Sequence, residues 1–183
     1  MKSKEKLQHA AMSLFTRNGF DQTTIKEIAS LAGVTERTFF RQFKDKADIF
    51  FESKNELLDE LTSYIEEHYQ EESSLFDLLL DSLKEVQVFD QNRERTLMRE
   101  QIIQSHSDLI ERELLKLYDM KQLLIQKLTE LNVSDDEVKI NFVTSVVFQI
   151  MDIAYKEWLK NENITFKESV TVIQENYLTN LSK

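Results

Sequence analysis

Residues 21–50 read DQTTIKEIASLAGVTERTFFRQFKDKADIF, and the strongest local signals in the chain fall in this stretch. Thr24 and Glu27 have the spacing of a capping box, so a helix is predicted to begin at Thr24. Gly33 predicts the end of that helix, because glycine adopts a left-handed backbone conformation at little cost. Thr35 predicts the cap of a second short helix. The stretch therefore predicts two short helices joined by a tight turn.

A further helix is predicted upstream, where apolar residues recur at helical spacing and Asn18–Gly19 predicts the helix end. Its apolar face consists of Leu7, Ala10, Ala11, Leu14 and Phe15. Three helices of this kind can close a small core around their apolar faces. The helix that follows Thr35 then keeps one face free, as in a helix-turn-helix module.

The free face of the helix after Thr35 carries side chains that can bind DNA. Arginine can donate to O6 and N7 of guanine, glutamate can accept from the cytosine amino group, and a threonine methyl can contact thymine. Lysines at the end of this helix, and the helix start at Thr24, suit contacts with phosphate. The candidate DNA-binding residues are Thr24, Thr35, Glu36, Arg37, Thr38, Phe40, Arg41, Lys44 and Lys46. The alternative is that these are ordinary solvated charges, but the agreement of caps, turn and aromatic residues favours DNA binding.

The same segment resembles the DNA-binding domain of TetR-family transcriptional regulators over roughly the first fifty residues. The matching positions are Leu14–Phe15, Gly19–Phe20, Thr23–Thr24, Ile28–Ala29, Ala32–Gly33–Val34–Thr35, Thr38–Phe39–Phe40, Phe43, Lys44 and Lys46. Many family members have tyrosine where this chain has Phe40, so packing on a sugar or a thymine methyl replaces a hydroxyl contact with phosphate. The resemblance implies a homodimer, a palindromic operator in double-stranded DNA, and binding controlled by a small-molecule effector. Repression is the commoner outcome in the family, and we expect a repressor here.

Positive charge is concentrated at the start of the chain, although the net charge of the whole is −10. Residues 1–46 contain nine Lys/Arg and five Asp/Glu, a net charge of +4, whereas the remainder contains 14 and 28, a net charge of −14. A basic module on an acidic body is expected of a protein that binds DNA through that module alone. We therefore expect a helix-turn-helix DNA-binding domain at 1–46 and a helical effector-binding and dimerisation domain at 47–183.

The second domain is predicted to be helical, because residues 47–183 contain neither glycine nor proline. Polar breaks separate a long helix from Asp45 to about His68 and five further helices, at 74–89, 92–104, 107–131, 135–159 and from 165. The predicted fold is therefore all-α, with about nine helices in total. The long helix from Asp45 would join the domains without a flexible linker, so an effector could change the separation of the two recognition helices in a dimer.

The predicted helix at 135–159 is apolar around most of its circumference, which requires burial on most sides. We expect part of this burial to come from a partner subunit, and the resemblance implies a four-helix interface that also uses the last helix. The candidate interface residues are Val143, Val147, Ile150, Ala154, Trp158, Val170, Ile173 and Tyr177. The alternative is a core helix of a monomer, since apolar periodicity does not separate a core from an interface.

Family members usually enclose an effector pocket within the larger domain, so the resemblance implies such a pocket here. An apolar lining with a few polar groups is what a small-molecule site requires. The candidate lining residues are Phe76, Leu79, Met98, Gln101, Ile102, His106, Tyr118, Phe148 and Met151. The alternative is that they are ordinary core residues. We expect a small apolar or amphipathic effector.

The composition gives no sign of an enzyme, a metal centre or an exported protein. The chain contains no cysteine, and its three histidines, His9, His68 and His106, are scattered, so we expect no disulfide, metal site or cofactor. No signal sequence is apparent, and the longest uncharged run, 140–151, has twelve residues against the ~20 needed to span a bilayer. We expect a cytoplasmic protein without a membrane partner. A helical protein-interaction adaptor is the alternative function.

Overall fold

A computed structural model describes residues 2–51, 56–71, 74–91 and 93–178. The helices are α1 (Ser3–Asn18), α2 (Ile25–Leu31), α3 (Glu36–Gln42), α4 (Asp48–Phe51), α5 (Glu56–His68), α6 (Leu75–Lys84), α7 (Val88–Gln91), α8 (Arg93–Gln104), α9 (Ser107–Glu130), α10 (Glu137–Lys160) and α11 (Phe166–Asn176). Two of these eleven, α4 and α7, are single turns of four residues, which leaves nine longer helices. No strand occurs within the described ranges. The predicted all-α fold is confirmed.

The chain divides into two compact units, which differ from the predicted domains. Unit one comprises Met1–Lys54 and Glu94–Leu114, and unit two comprises Asn55–Arg93 and Leu115–Lys183. Unit one is larger than the predicted domain because α4, α8 and the start of α9 contribute apolar side chains to the cores formed with α1–α3. The functional division of the chain at residue 46 remains a prediction.

Within unit one, the ends of α2 and α3 follow the predicted signals. Thr24 and Glu27 form the capping box: the Glu27 carboxylate accepts the Thr24 N–H at 2.8 Å, and Thr24 Oγ1 accepts the Glu27 N–H at 3.2 Å. Gly33 has φ +67°, and the Val34 N–H donates to the Ala29 carbonyl at 2.9 Å to close the turn. These local bonds matter because helices of seven residues are not stable in isolation.

The predicted apolar face of α1 forms the base of the unit-one core. Its five residues, Leu7, Ala10, Ala11, Leu14 and Phe15, are all buried. Ile28 of α2 and Phe39 and Phe43 of α3 pack in the same cluster. Burial of these side chains, worth roughly 1.5–3 kcal/mol for each large apolar residue, fixes both short helices on α1.

The helix predicted from Asp45 to about His68 is described in two segments, α4 and α5. Asp45 provides the expected cap, since its carboxylate accepts the Asp48 N–H at 2.7 Å. Residues 52–55 lie outside the described residues, so the continuity of this helix remains a prediction. The helix predicted at 74–89 is instead two helices, α6 and α7, because the Glu60 carboxylate accepts the backbone N–H groups that begin α7.

Unit two is built around α10, which packs against α6 and α11. Eight side chains of α10 are buried, including Trp158, whose indole N–H donates to Asp90 at 2.8 Å. By length and composition alone α10 could cross a membrane, a test that the core helices of soluble proteins also pass. Its buried side chains join those of α5, α6, α9 and α11 in one core.

Candidate DNA-binding surface

The outer face of α3 is exposed along the helix. Glu36, Arg37 and Arg41 are exposed side chains of this face. Phe40 is 55% exposed, whereas its neighbour Phe39 is 0% exposed within the core. Phe39 therefore anchors α3 on α1, whereas the ring of Phe40 is accessible to a DNA partner.

Two threonines fix the start of α3. Thr35 Oγ1 accepts the Thr38 N–H at 3.2 Å, and the two hydroxyl groups are hydrogen-bonded at 3.1 Å. The hydroxyl of Thr38 is therefore engaged by the cap, which leaves its methyl group for a base contact. The cap also holds the backbone of Glu36 and Arg37, which lie in the first turn of the helix.

Thr24 uses both of its donors within the capping box of α2. Its N–H and its hydroxyl each donate to the Glu27 carboxylate at 2.8 Å. These bonds, that from the N–H first, lower the pKa of Glu27 below its ordinary value, so the carboxylate remains ionised at neutral pH. A contact between Thr24 and phosphate remains a prediction, and it would be made beside this negative charge.

The two lysines predicted to contact phosphate differ in their surroundings. The Lys46 ammonium donates to the carbonyl groups of Phe20, Asp21 and Thr23 at 2.6, 3.1 and 3.2 Å. An ammonium has three N–H donors, so Lys46 uses all of them in the turn between α1 and α2. The Lys44 side chain is exposed. We therefore reassign Lys46 from phosphate binding to that turn and keep Lys44 as the phosphate candidate.

His106, a candidate pocket residue, lies instead against the turn between α1 and α2 in unit one. Nδ1 donates to the Ile102 carbonyl at 2.8 Å, Nε2 lies 2.9 Å from an Asp21 carboxylate oxygen, and the ring meets Phe20 edge-on. The Ile102 carbonyl first and Asp21 second raise the pKa of His106 above its ordinary value of 6.5. His106 thus ties the junction of α8 and α9 to the helix-turn-helix segment.

The nine candidate pocket residues do not form one group. Leu79, Phe148 and Met151 line a cavity within unit two, while Phe76 packs on the unit-two core and Tyr118 is exposed. The other four belong to unit one and are Met98, Gln101, Ile102 and His106. Their assignment to the pocket of the larger domain is therefore corrected, because α8 packs on the core of α1–α4.

The cavity of unit two is small and apolar. Its lining consists of Leu61, Leu79, Ser82, Leu83, Leu124, Val147, Phe148 and Met151. Its volume is about 10 Å³, close to the least that holds one water molecule. Ser82 is the only hydroxyl-bearing residue of this lining, and its Oγ already donates to the Leu79 carbonyl at 2.7 Å.

Seven of the eight candidate interface residues are buried within a single chain. They are Val143, Val147, Ile150, Ala154, Trp158, Val170 and Ile173, each at most 9% exposed. The interface prediction is wrong for these seven, because side chains that already fill the core of their own chain cannot contact a partner. The eighth, Tyr177, is exposed.

A different set of apolar side chains is exposed on α10, on α11 and at Tyr177, the residue that caps α11. We call this set the outer apolar face, and its members are Val138, Phe142, Ile153, Val172 and Tyr177. Val138 and Phe142 are 77% and 68% exposed, and they lie four residues apart, on one side of α10. Val138 and Phe142 therefore form an exposed apolar pair, which makes this side of α10 a candidate interaction surface.

Comparison with known proteins identifies the class of the first unit. Over 53 residues the chain is 42% identical to the HTH-type transcriptional regulator AcrR of Shigella flexneri, and over 42 residues it is 48% identical to the uncharacterized HTH-type transcriptional regulator YvkB of Bacillus subtilis. The matches cover 27% and 23% of this chain but only 25% and 22% of those proteins. The sequence likeness thus defines a helix-turn-helix DNA-binding domain.

The family of that domain is equally clear. Residues 7–52 match the profile of bacterial regulatory proteins of the tetR family. NalD, the secondary repressor of the MexAB-OprM multidrug efflux pump in Pseudomonas aeruginosa, has a similar structure, with a TM-score of 0.64, 18% identity, and coverage of 97% of this chain and 95% of that chain. The fatty acid degradation regulator FadR of Bacillus halodurans is also similar in structure, with a TM-score of 0.61, 19% identity, and coverage of 99% of this chain and 97% of that chain. Residues 7–52 are therefore similar to the DNA-binding domain of tetR-family regulators, and the chain has the fold of these solved structures.

Proposed function

We propose that the protein is a homodimeric transcriptional repressor that binds a palindromic operator and releases it when a small-molecule effector binds. The observation that carries this proposal is the exposed outer face of α3, held on a buried aromatic core and bounded by a capped turn. The relatives named above, which are transcriptional regulators, support the same function. A cytoplasmic location follows from it.

We assign the base contacts to the exposed face of α3. Arg37 and Arg41 are placed to donate to guanine, and Glu36 to accept from the amino group of cytosine. Phe40 replaces a polar aromatic residue and supplies an apolar surface for a thymine methyl or a sugar. Lys44, just after the helix, supplies a phosphate contact that adds affinity without reading sequence.

Dimerisation is assigned to the outer apolar face. A palindromic operator requires two copies of α3 related by a two-fold axis, and therefore a self-complementary interface. Phe142 and Val138 supply the large exposed apolar side chains that such an interface buries. The proposed interface thus keeps Tyr177 but uses the side of α10 that is opposite its buried residues.

We place the effector at the apolar cavity of unit two. A bound small molecule generally occupies a pocket of roughly 300–1,000 Å³, so this cavity must widen when the effector enters. Met151 and Phe148 can move aside, since methionine in particular adapts to irregular spaces. The effector lowers operator affinity only if it binds the widened arrangement more tightly than the arrangement that fits DNA.

The decisive experiment is selection of bound fragments from random duplex DNA by the purified protein at low salt, followed by sequencing. We expect an inverted repeat, whose arm spacing gives the separation of the two α3 helices in the dimer. An Arg37→Ala protein run in parallel should recover sequences that are degenerate at the position that Arg37 reads. Recovery of no enriched sequence by the parent protein would overturn the proposal and leave a protein-binding adaptor as the better account.

A further inference from the structure

The first residue of α4 carries a carboxylate that is buried despite its charge. Asp48 is 3% exposed, and one of its oxygens accepts the Lys44 N–H at 2.9 Å. Asp45 accepts the Asp48 N–H at 2.7 Å, so the two aspartates bond the backbone at both ends of the turn between α3 and α4. The backbone of Lys44, the phosphate candidate, is therefore held by an aspartate from the next helix.

One arginine, distant in sequence but within unit one, forms ion pairs with both aspartates. Arg112, in the second turn of α9, pairs with Asp48 through one guanidinium nitrogen and with Asp45 through the other at 3.2 Å. Its guanidinium also lies 4.6 Å from the centroid of the Phe51 ring. A single side chain, 64 residues after Asp48, thus bridges both aspartates.

The bridge by Arg112 has an energetic reason. A carboxylate removed from water is strongly destabilising unless a cation and hydrogen-bond donors compensate for the lost hydration. Arg112 is the cation paired with Asp48, and the Lys44 N–H is one of the donors. Loss of Arg112 would therefore favour rotation of Asp48 toward water, which would break its bond to Lys44.

We propose that Arg112 is a positioning residue of the DNA-binding surface, acting through Asp48 on the backbone of Lys44. The inference rests on the proposed function in so far as Lys44 contacts operator phosphate. It makes operator affinity depend on a residue of α9, outside the segment that resembles a helix-turn-helix domain. A change in the first turns of α9 would then alter DNA binding without touching the bases.

A neighbouring pair provides a matched control. Arg99 of α8 also lies over Phe51, at 5.4 Å from the ring centroid, but it pairs with Glu113 and donates to the Phe50 carbonyl. Arg99→Gln therefore removes a partly buried arginine from the same unit while leaving both aspartates with Arg112. A loss of DNA affinity caused by general destabilisation should appear in both Arg99→Gln and Arg112→Gln. A loss that acts through Lys44 should appear only in Arg112→Gln.

The first test needs no DNA. Amide hydrogen exchange is measured by NMR on the full chain for the parent, Arg112→Gln and Arg99→Gln. We expect Arg112→Gln to speed exchange of the Lys44 amide at least tenfold, while the Val34 amide in the turn between α2 and α3 keeps its rate. Unchanged protection of Lys44 in Arg112→Gln would overturn the inference, whatever the protein binds. Arg112→Lys, which preserves the charge but lacks the rigid planar fork that reaches the two aspartates through separate nitrogens, should give an intermediate rate and serves if Arg112→Gln unfolds.

The second test links Arg112 to DNA through a double-mutant cycle. Operator affinity is measured against salt for the parent, Arg112→Gln, Lys44→Gln and the double variant. We expect each single variant to lose about tenfold in affinity and to reduce the salt slope by about 1.8, since the dimer loses one phosphate contact, worth about 0.9, in each subunit. The double variant should be no more than twofold weaker than either single variant. Full additivity would overturn the coupling, whereas a parent protein without operator binding would overturn the proposed function itself.

Discussion

Units one and two differ in how far local interactions between neighbouring residues define their helices. In unit one, α2 and α3 are short. Thr24 and Gly33 mark the two ends of α2, and Thr35 marks the start of α3. In unit two, α10 is long and apolar on nearly every side, and nothing local marks which side meets the core. Local hydrogen bonds fix the ends of α2 and α3. The side of α10 that becomes buried depends instead on which of its apolar faces packs best against other helices. Capping residues therefore predict where the exposed face of α3 lies. Apolar periodicity alone does not predict which face of α10 is exposed.

The largest effect should come from a charge placed in the core of unit two. Val147→Asp puts a carboxylate at a site that is 4% exposed and lined by apolar side chains. We expect a loss of about 3–5 kcal/mol in the free energy of unfolding, as for other uncompensated buried charges. Thermal unfolding followed by circular dichroism measures this. A variant as stable as the parent would show that Val147 is not a core residue.

A charge on the outer apolar face should act on assembly instead. Phe142→Glu changes an exposed side chain of α10, so we expect a folded monomer with a melting temperature close to that of the isolated parent subunit. The dimer should weaken by at least about 30-fold, corresponding to the ~2 kcal/mol of an interface anchor. Analytical ultracentrifugation across a concentration series decides the point. A dimer of parental affinity would remove α10 from the interface.

The sequence predicted the helices well because their limits depend on neighbours in the chain. The capping box of α2 spans four residues, and the all-α class follows from the absence of glycine and proline after residue 46. The division of α6 from α7 was missed because it depends on Glu60, 27 residues before Gln87. The interface was misassigned because the most apolar residues of α10 fill the core of their own chain.

The site was predictable only where exposure followed from the helix pattern. Arg37 and Arg41 lie opposite Phe39 on α3, and both are exposed as expected, as is Glu36 in the first turn. Lys46 and Arg112 have roles set by partners 23 or more residues away, and no spacing rule announces such contacts. The same holds for the pocket, since helical spacing does not reveal that α8 packs in unit one.

The two lysines near the end of α3 provide a finer test of unit one. Lys46→Met removes three charge-assisted hydrogen bonds to carbonyl groups, so we expect a loss of about 1.5–3 kcal/mol in the free energy of unfolding. Lys44→Met should change stability by no more than about 0.5 kcal/mol, since its side chain is exposed. Chemical denaturation of both variants gives the comparison. Equal stability of the two would contradict the role of Lys46 in the turn between α1 and α2.

The smallest effect concerns pH and His106. Because its pKa in the folded protein is raised above 6.5, with the Ile102 carbonyl and Asp21 as causes, the stabilisation is present below pH 6.5 and is lost as pH rises through the raised pKa. We expect the parent to exceed His106→Gln in stability by at most about 1 kcal/mol near pH 6, a value typical of partly exposed ion pairs. Asp108 of α9 adds to the attraction. The difference in stability between the parent and His106→Gln should become smaller by about pH 8.5 in melting experiments. A difference that grows with pH would contradict this role of His106.

The most direct measurement for the account as a whole is the specificity ratio of the parent and of Arg37→Ala. Fluorescence anisotropy gives the affinity of each protein for the selected inverted repeat and for a scrambled duplex at one fixed salt concentration. We expect the parent to prefer the repeat by at least about 10³-fold, and Arg37→Ala to lose roughly 1–3 kcal/mol of that preference per site while its affinity for scrambled DNA is nearly unchanged. An equal loss on both duplexes would mean that the outer face of α3 holds DNA without reading it, contrary to the central claim.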